Sequence, residues 1–227
     1  MRILITAGGT REYIDPVRFI SNASSGRMGY ALALAALKAG HKVTLIAAST
    51  AQKPPGEANL VNVETAAQMF DAVKKHFRQC DCLIMAAAVA DYTPARPAGT
   101  KIKKTGKSMT IKLKPTTDIL KWAGKQKQLI CQRAKPVLSK AEGAKGRIVV
   151  GFALEDKAIR IRAQKKLKDK NLDMIVANTP AAIGADKSNV QIKIPDSSWI
   201  KIENATKSAT ANKIIRLVEK LHRAGLK

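Results

Sequence analysis

Short, almost purely apolar runs alternate along this chain with longer segments whose apolar residues recur at helical spacing. The runs are residues 2–7 (RILITA), 42–47 (KVTLIA), 59–63 (NLVNV), 82–88 (CLIMAAA), 147–153 (RIVVGFA) and 173–177 (DMIVA). A run of that length with few polar positions is a strand covered on both faces, and such strands belong to parallel sheets with crossover helices. The segments between them supply the helices. Residues 28–39 are rich in Ala and Leu and stop at Gly40, and Thr65 with Gln68 has the spacing of a capping box. A basic stretch follows from 118 to about 145, and then a further helical pattern over 157–170.

Near the end, 190–194 and 199–202 flank Pro195 and Asp196 and read as a closing hairpin. An amphipathic helix over 209–224 places Ile214, Ile215, Val218 and Leu221 on one face. The expected fold is α/β: a Rossmann-like, doubly wound, mostly parallel sheet with a C-terminal hairpin and helix, in a single domain over residues 1–227. Two segments depart from the alternation. Residues 91–100, with Pro94 and Pro97, read as a loop. Residues 101–114 alternate basic and apolar side chains around Thr105, Gly106 and Lys107, which predicts a strand pair with a turn.

Composition narrows the partners. Lys and Arg number 41 against 17 Asp and Glu, a surplus of +24 that concentrates anions around the protein. Single-stranded nucleic acid wants aromatic side chains among the basic ones. Aromatics are only 4% of this chain, and the basic stretch 121–145 holds one, Trp122, so no specific nucleic acid is expected. Cys80, Cys82 and Cys131 are odd in number and lack zinc-site spacing, which fits reduced thiols in a cytoplasmic protein. No apolar run approaches the ~20 residues of a membrane span, and the opening run is too short for a leader.

In a doubly wound sheet ligands bind beyond the carboxyl ends of the strands. There Gly8 and Gly9 let the chain turn out of the first strand, and Ser24, Ser25 and Gly26 sit where the first helix begins. Free N–H groups and the helix dipole favour a phosphate at such a start, although a merely well-capped helix would look the same. A nicotinamide cofactor is disfavoured. Some 20 residues separate strand from helix, and the second strand ends TLIAAST without the acidic residue that holds a ribose. No Tyr-x-x-x-Lys pair exists either, since Tyr13, Tyr30 and Tyr92 are followed at that spacing by Val17, Leu34 and Arg96.

The run ITAGGTREYIDPVRFISNASSGRMGYALA resembles the opening of phosphopantothenoylcysteine synthetases (phosphopantothenate–cysteine ligases). Five further blocks follow in the family's order: AAAVADY at 86–92, KIKK at 101–104, TDIL at 117–120, VGFALE at 150–155 and KLKDKNLDMIVAN at 166–178. The resemblance implies a ligase of coenzyme A biosynthesis that joins 4′-phosphopantothenate and L-cysteine through an acyl-nucleotide, releasing pyrophosphate and nucleoside monophosphate. CTP is the expected co-substrate, giving an acyl-cytidylate, with ATP the alternative. Mg²⁺ or Mn²⁺ would accompany the triphosphate, and its protein ligands are not assigned. The chain opens directly on the synthetase strand, so it resembles the single-function form, and the family implies a homodimer.

Residue by residue, Asn22 matches the position that acts on the acyl-nucleotide, and Lys101 the leading lysine of a mobile clamp needed to form it. Ala87, Asp91, Thr117, Asp118, Ile119, Leu120, Phe152, Lys166 and Lys170 match nucleotide-binding positions, alongside the turn and helix-start residues Gly8, Gly9, Ser24, Ser25 and Gly26. There are departures: Ala23 stands where the family commonly has His, Arg27 where it has Lys, Thr117 for Pro and Asp156 for Thr. The stretch 122–146 is also longer and more basic than usual.

Overall fold

The computed structural model describes residues 1–134 and 146–225. In chain order the elements are β1 (Arg2–Ala7), β2 (Arg11–Tyr13), β3 (Phe19–Ser21), α1 (Arg27–Lys38), β4 (Lys42–Ala47), β5 (Asn59–Asn62) and α2 (Ala66–Phe77). Next come β6 (Cys82–Met85), β7 (Tyr92–Pro94), β8 (Leu113–Pro115), α3 (Ile119–Ala134), β9 (Ile148–Leu154) and α4 (Ile159–Asp169). The chain closes with β10 (Met174–Asn178), a short 3₁₀ turn (Pro180–Ala182), β11 (Lys187–Lys193), β12 (Ile200–Thr206) and α5 (Lys207–Ala224).

Eight strands form the main sheet in the order β12-β11-β10-β9-β6-β1-β4-β5. The six from β5 to β10 run parallel, and β11 and β12 add antiparallel at one edge. The chain starts in the middle at β1, winds outward to β5, then crosses to β6 on the other side of β1. That reversal opens a crevice between the carboxyl ends of β1 and β6, where such folds bind ligands.

Strand alternation divides the core. Ile3, Ile5, Val43, Leu45, Ile84 and Val150 face one way, under Leu32 and Ala36 of α1 and Ile214 and Val218 of α5. Leu4, Ile46, Leu83, Val149 and Ile175 face the other way, under Met69 and Phe77 of α2, Ala123 of α3 and Leu167 of α4. Each fully buried aliphatic contributes roughly 1.5–3 kcal/mol, so a one-residue slip of any strand would be costly. The helix signals hold as well. Thr65 Oγ1 accepts from Gln68 N at 3.2 Å while Gln68 Oε1 accepts from Thr65 N at 3.2 Å, a complete capping box, and Gly40 ends α1 at φ 76°.

Four expectations need correction. Residues 101–112 form no strand pair. From 99 to 115 only Ile102 and Ile111 are even half covered, so the alternation has no surface to bury and cannot fix a ladder. The ladder that does form joins β7 to β8, Tyr92 opposite Pro115 and Pro94 opposite Leu113, and 95–112 projects from it as a loop. The stretch read as the loop 91–100 therefore contains a strand. The run 82–88 is a strand only to Met85, because Ala88 swings across to bridge Gly9. The segment between β1 and α1, read as a loop, folds into the β2–β3 hairpin. Of the basic stretch 118–145, α3 covers the first part and 135–145 lies outside the described residues. No helix among the described residues is long and apolar enough to cross a membrane.

Candidate active site

The carboxyl ends of β1, β6, β9 and β10 converge on a cleft of about 490 Å³. Three glycines shape its floor. Gly8, at φ 83°, turns the chain out of β1 so closely under the next strand that a Cβ would lie 2.6 Å from the Ala48 carbonyl oxygen. Gly26, at φ 73°, seats the start of α1 where a Cβ would meet Thr50 Oγ1 at 2.7 Å. Gly29 lays α1 on β1, since a Cβ there would stand 2.9 Å from Ala7 Cα. Turn, close approach and helix–strand packing are the three jobs of glycines in a dinucleotide fingerprint, performed here with a hairpin between them.

Apart from Gly26 N, which donates to Ser24 Oγ at 3.4 Å, the start of α1 has no side-chain cap and no acidic residue in its first turn, so the N–H groups of that turn are unclaimed by side chains. Asn22, Ser24, Ser25 and Gly26 line the cleft here. Gly8 and Gly9 stand behind them rather than on the lining, where they tie the loop after β6 in place. Ala88 N donates to Gly8 O at 2.8 Å, Thr10 N to Ala88 O at 3.3 Å, and Ala90 N to Thr10 Oγ1 at 2.9 Å. The Asn22 amide completes the seam, with Nδ2 donating to Val89 O at 3.0 Å and to Ala88 O at 3.4 Å. Its carbonyl oxygen takes no hydrogen bond from the described residues.

The opposite wall carries Ala87, Asp91, Thr117, Asp118, Ile119 and Leu120. Thr116 binds both halves of it, its N–H donating to Asp91 O at 2.9 Å and its Oγ1 to Ala90 O at 2.6 Å. Asp118 opens α3 by accepting from Lys121 N at 2.9 Å, and its other oxygen lies 2.8 Å from Lys170 Nζ. Burial acts to raise the Asp118 pKa, but the Lys170 and Lys121 hydrogen bonds outweigh it and hold it below the usual carboxylate value. Lys166, one turn earlier on α4, donates to Phe152 O at 2.8 Å. Burial first, then the charge of Lys170, push the Lys166 pKa down. Phe152 lines the cleft beside it, half-buried.

Three features here carry no signal in the sequence. Gly124 of α3 abuts the Lys170 carbonyl so tightly that any Cβ would overlap its oxygen, and this close approach brings Asp118 and Lys170 together. At the far end of the cleft, Arg27 Nη1 donates to Asp186 Oδ1 at 2.7 Å and Gly184 O at 3.0 Å. Lys207, at the start of α5, donates to Ala182 O at 3.1 Å and Ser188 Oγ at 3.0 Å, and burial and Arg27 lower its pKa. Nothing local says that the antiparallel edge returns this helix start to the cleft.

Lys101 is not on the cleft lining. It is exposed on the 95–112 loop, next to Ile102, which the β2–β3 hairpin holds. Among the described residues, Asp91 and Asp118 are the only carboxylates on the lining, and no group of three or more His, Cys, Asp or Glu could hold a metal. A divalent ion fits this site only if phosphate oxygens supply most of its ligands. Cys80 and Cys82 are buried, which pushes the Cys80 thiol up to about 12 and the Cys82 thiol well above its usual value, so neither is a nucleophile.

The chain is 44% identical over 199 residues to the coenzyme A biosynthesis bifunctional protein CoaBC of Bacillus subtilis (strain 168), covering 86% of this chain and 45% of that protein. It is 42% identical over 222 residues to a cysteine/cysteine sulfinic acid decarboxylase of an unknown prokaryotic organism, covering 96% of this chain and 57% of the other. The chain thus spans about half the length of the curated relatives it matches. The crystal structure of the C-terminal domain of CoaBC superposes with a TM-score of 0.77 at 37% identity, covering 97% of this chain and 94% of that one. The DNA/pantothenate metabolism flavoprotein from Streptococcus pneumoniae shares the fold, with a TM-score of 0.79 at 23% identity over 98% of this chain and all of the other. Over residues 1–221 the sequence fits the profile of one family throughout, and the chain belongs to it: the DNA/pantothenate metabolism flavoprotein C-terminal domain.

Proposed function

We propose that this chain is a phosphopantothenate–cysteine ligase that uses a nucleoside triphosphate, CTP in preference to ATP. The observation that carries the reading is a single cleft with two phosphate-binding poles, the uncapped start of α1 on one wall and Lys166 with Lys170 on the other. A reaction between a triphosphate and a phosphorylated carboxylic acid needs both. Family membership supports the same reading. Relatives named for a decarboxylase and for coenzyme A biosynthesis both contain this segment, and what the rest of those chains does is not carried over.

In the first half the carboxylate oxygen of 4′-phosphopantothenate attacks the α-phosphorus and pyrophosphate leaves. In the second the cysteine amine attacks the acyl carbon, loses a proton, and nucleoside monophosphate leaves. Lys166, Lys170 and the α1 N–H groups hold phosphate oxygens, and Phe152 offers an apolar face to the base. Lys101 reaches in from its loop to neutralise charge as pyrophosphate forms. Asn22, with its carbonyl oxygen free, accepts from the incoming amine and orients it. Mg²⁺ or Mn²⁺ enters with the triphosphate, and Asp91 is the cleft carboxylate that forms no ion pair among the described residues.

The exposed apolar side chains Val17, Phe19, Tyr92 and Leu113 cluster on the two small hairpins, and we assign them to a second copy of the chain in a homodimer. The test of the function is pyrophosphate release with 4′-phosphopantothenate, cysteine and each nucleotide in turn. Release that depends on both CTP and phosphopantothenate supports the reading. No turnover with any triphosphate overturns it, and a higher kcat/KM with ATP overturns the nucleotide assignment.

A further inference from the structure

The loop that carries Lys101 is pinned to the body at its stem. Ala98 N donates to Ile14 O at 2.8 Å, Ile102 N donates to Asp15 Oδ2 at 3.1 Å, and Arg18 Nη2 donates to Ile102 O at 2.7 Å. Beyond Ile102, no hydrogen bond ties residues 103–111 to the rest of the described chain. Ile102 is therefore the last fixed point, one residue past Lys101.

Asp15 organises that point. Its side chain has no exposed surface, and both oxygens are fully used. Oδ1 accepts from Val17 N at 2.9 Å and Arg18 N at 2.8 Å, closing the turn between β2 and β3. Oδ2 accepts from Arg18 Nε at 3.0 Å and from Ile102 N. One carboxylate thus shapes the hairpin turn, aims Arg18, and holds the loop stem through both the N–H and, by way of Arg18, the C=O of Ile102. The hairpin strands pair over only three positions, too few to keep this turn in shape alone.

We propose that Asp15 is a positioning residue that sets the reach of Lys101 by clamping Ile102. The proposal rests on the reading of Lys101 as the residue that closes on the triphosphate. Asp15 touches no substrate. It holds Ile102, so that Lys101 stands between two held points, Ala98 and Ile102, and without it the chain is free from Ala98 onward.

Limited trypsin digestion tests the clamp without reference to activity. In Asp15→Asn, cleavage after Lys101, on the held stem, is expected to speed up at least about tenfold over the wild type, while cleavage after Lys103, Lys104 and Lys107 in the already free part serves as the reference. Should Asp15→Asn fail to fold, Arg18→Gln removes the hold on the Ile102 carbonyl, and the same acceleration after Lys101 is expected. Unchanged cleavage in a folded variant overturns the proposal. Activity gives the second arm. Pyrophosphate release is expected to lose kcat in Asp15→Asn at constant KM for phosphopantothenate, and Asp15→Asn added to Lys101→Gln should cause no further loss. A multiplicative double mutant would mean that Asp15 does not act through Lys101. Full activity of Lys101→Gln alone would instead sink the clamp-lysine reading, while the digestion still reports whether Asp15 holds the loop.

Discussion

Asp118, the carboxylate immediately before α3, lies 2.8 Å from the ammonium of Lys170, which caps the end of α4. Neither helix alone puts these charges together. The contact depends on Gly124, whose missing Cβ lets α3 rest on the Lys170 carbonyl. In Gly124→Ala the helices must part, and Lys170 leaves its place on the cleft. Overpacking of this kind costs roughly 1–3 kcal/mol, so the KM for the triphosphate should rise about tenfold with kcat little changed. Steady-state pyrophosphate release measures it, and an unaltered KM would show that the helix contact does not set the nucleotide site.

Lys166 gives a pH dependence with a definite sign. Its pKa is lowered by burial and by Lys170, so its charge is present at low pH and lost as pH rises through a value below that of an ordinary lysine. Phosphate binding needs the charged form. The KM for nucleotide should therefore stay flat through neutrality and climb on the alkaline side. Arginine stays charged throughout that range, so Lys166→Arg should flatten the climb. A profile identical in the two proteins would remove Lys166 from nucleotide binding.

Lys101 and Asn22 should separate the two half-reactions. Lys101→Gln is expected to cut pyrophosphate release at least about a hundredfold even without cysteine, leaving a measurable residual rate. Asn22→Asp should still release pyrophosphate but lower product formation at least about a hundredfold, because a carboxylate cannot donate to the Ala88 and Val89 carbonyls and so loses the placement from which it accepts the amine. The acyl-nucleotide should then be recoverable by mass spectrometry after a quench. The new carboxylate would also face the Ala88 and Val89 carbonyls in place of a donor, so some loss of thermal stability should accompany the effect. Equal loss of both halves in both variants would refute the division.

Gly29→Ala isolates the fold from the chemistry. A methyl there would press on Ala7 of β1, and no side-chain rotation can relieve a clash with backbone. Destabilisation by about 1–3 kcal/mol is expected, which for a chain of this size lowers Tm by roughly 2–4 °C per kcal/mol. Calorimetry decides it, and an unchanged Tm would mean that α1 has room to shift.

The parallel strands were legible because each is a run with both faces buried. β1 and β4 match their apolar runs residue for residue, and Thr65 and Gln68 make the capping box their spacing predicts. The β2–β3 hairpin was not legible, because three-residue strands are too short to show a period. The pairing expected over 101–114 failed for the opposite reason: a period was present, with nothing for its apolar half to cover. Of the residues carried by the family resemblance, Asn22, Ser24, Ser25, Gly26, Ala87, Asp91, Phe152, Lys166, Lys170 and residues 117–120 line the cleft, while Gly8 and Gly9 stand behind it and Lys101 lies off it. Gly124, Arg27 and Lys207 act through partners far away in sequence, Arg27 with Asp186 and Lys207 with Ser188, and no local pattern encodes such meetings.

The antiparallel pair at the end of the chain also decides how molecules of this protein meet. A long open edge strand invites a neighbour to extend the sheet, the route by which soluble proteins stack into fibres. At one edge β5 offers only four residues. At the other, the register of β11 and β12 breaks between Ser188 and Val190, and Asn204 turns through φ 45°, so that edge is kinked and cannot serve as a straight template. Growth by strand addition is therefore blocked at both ends of the sheet.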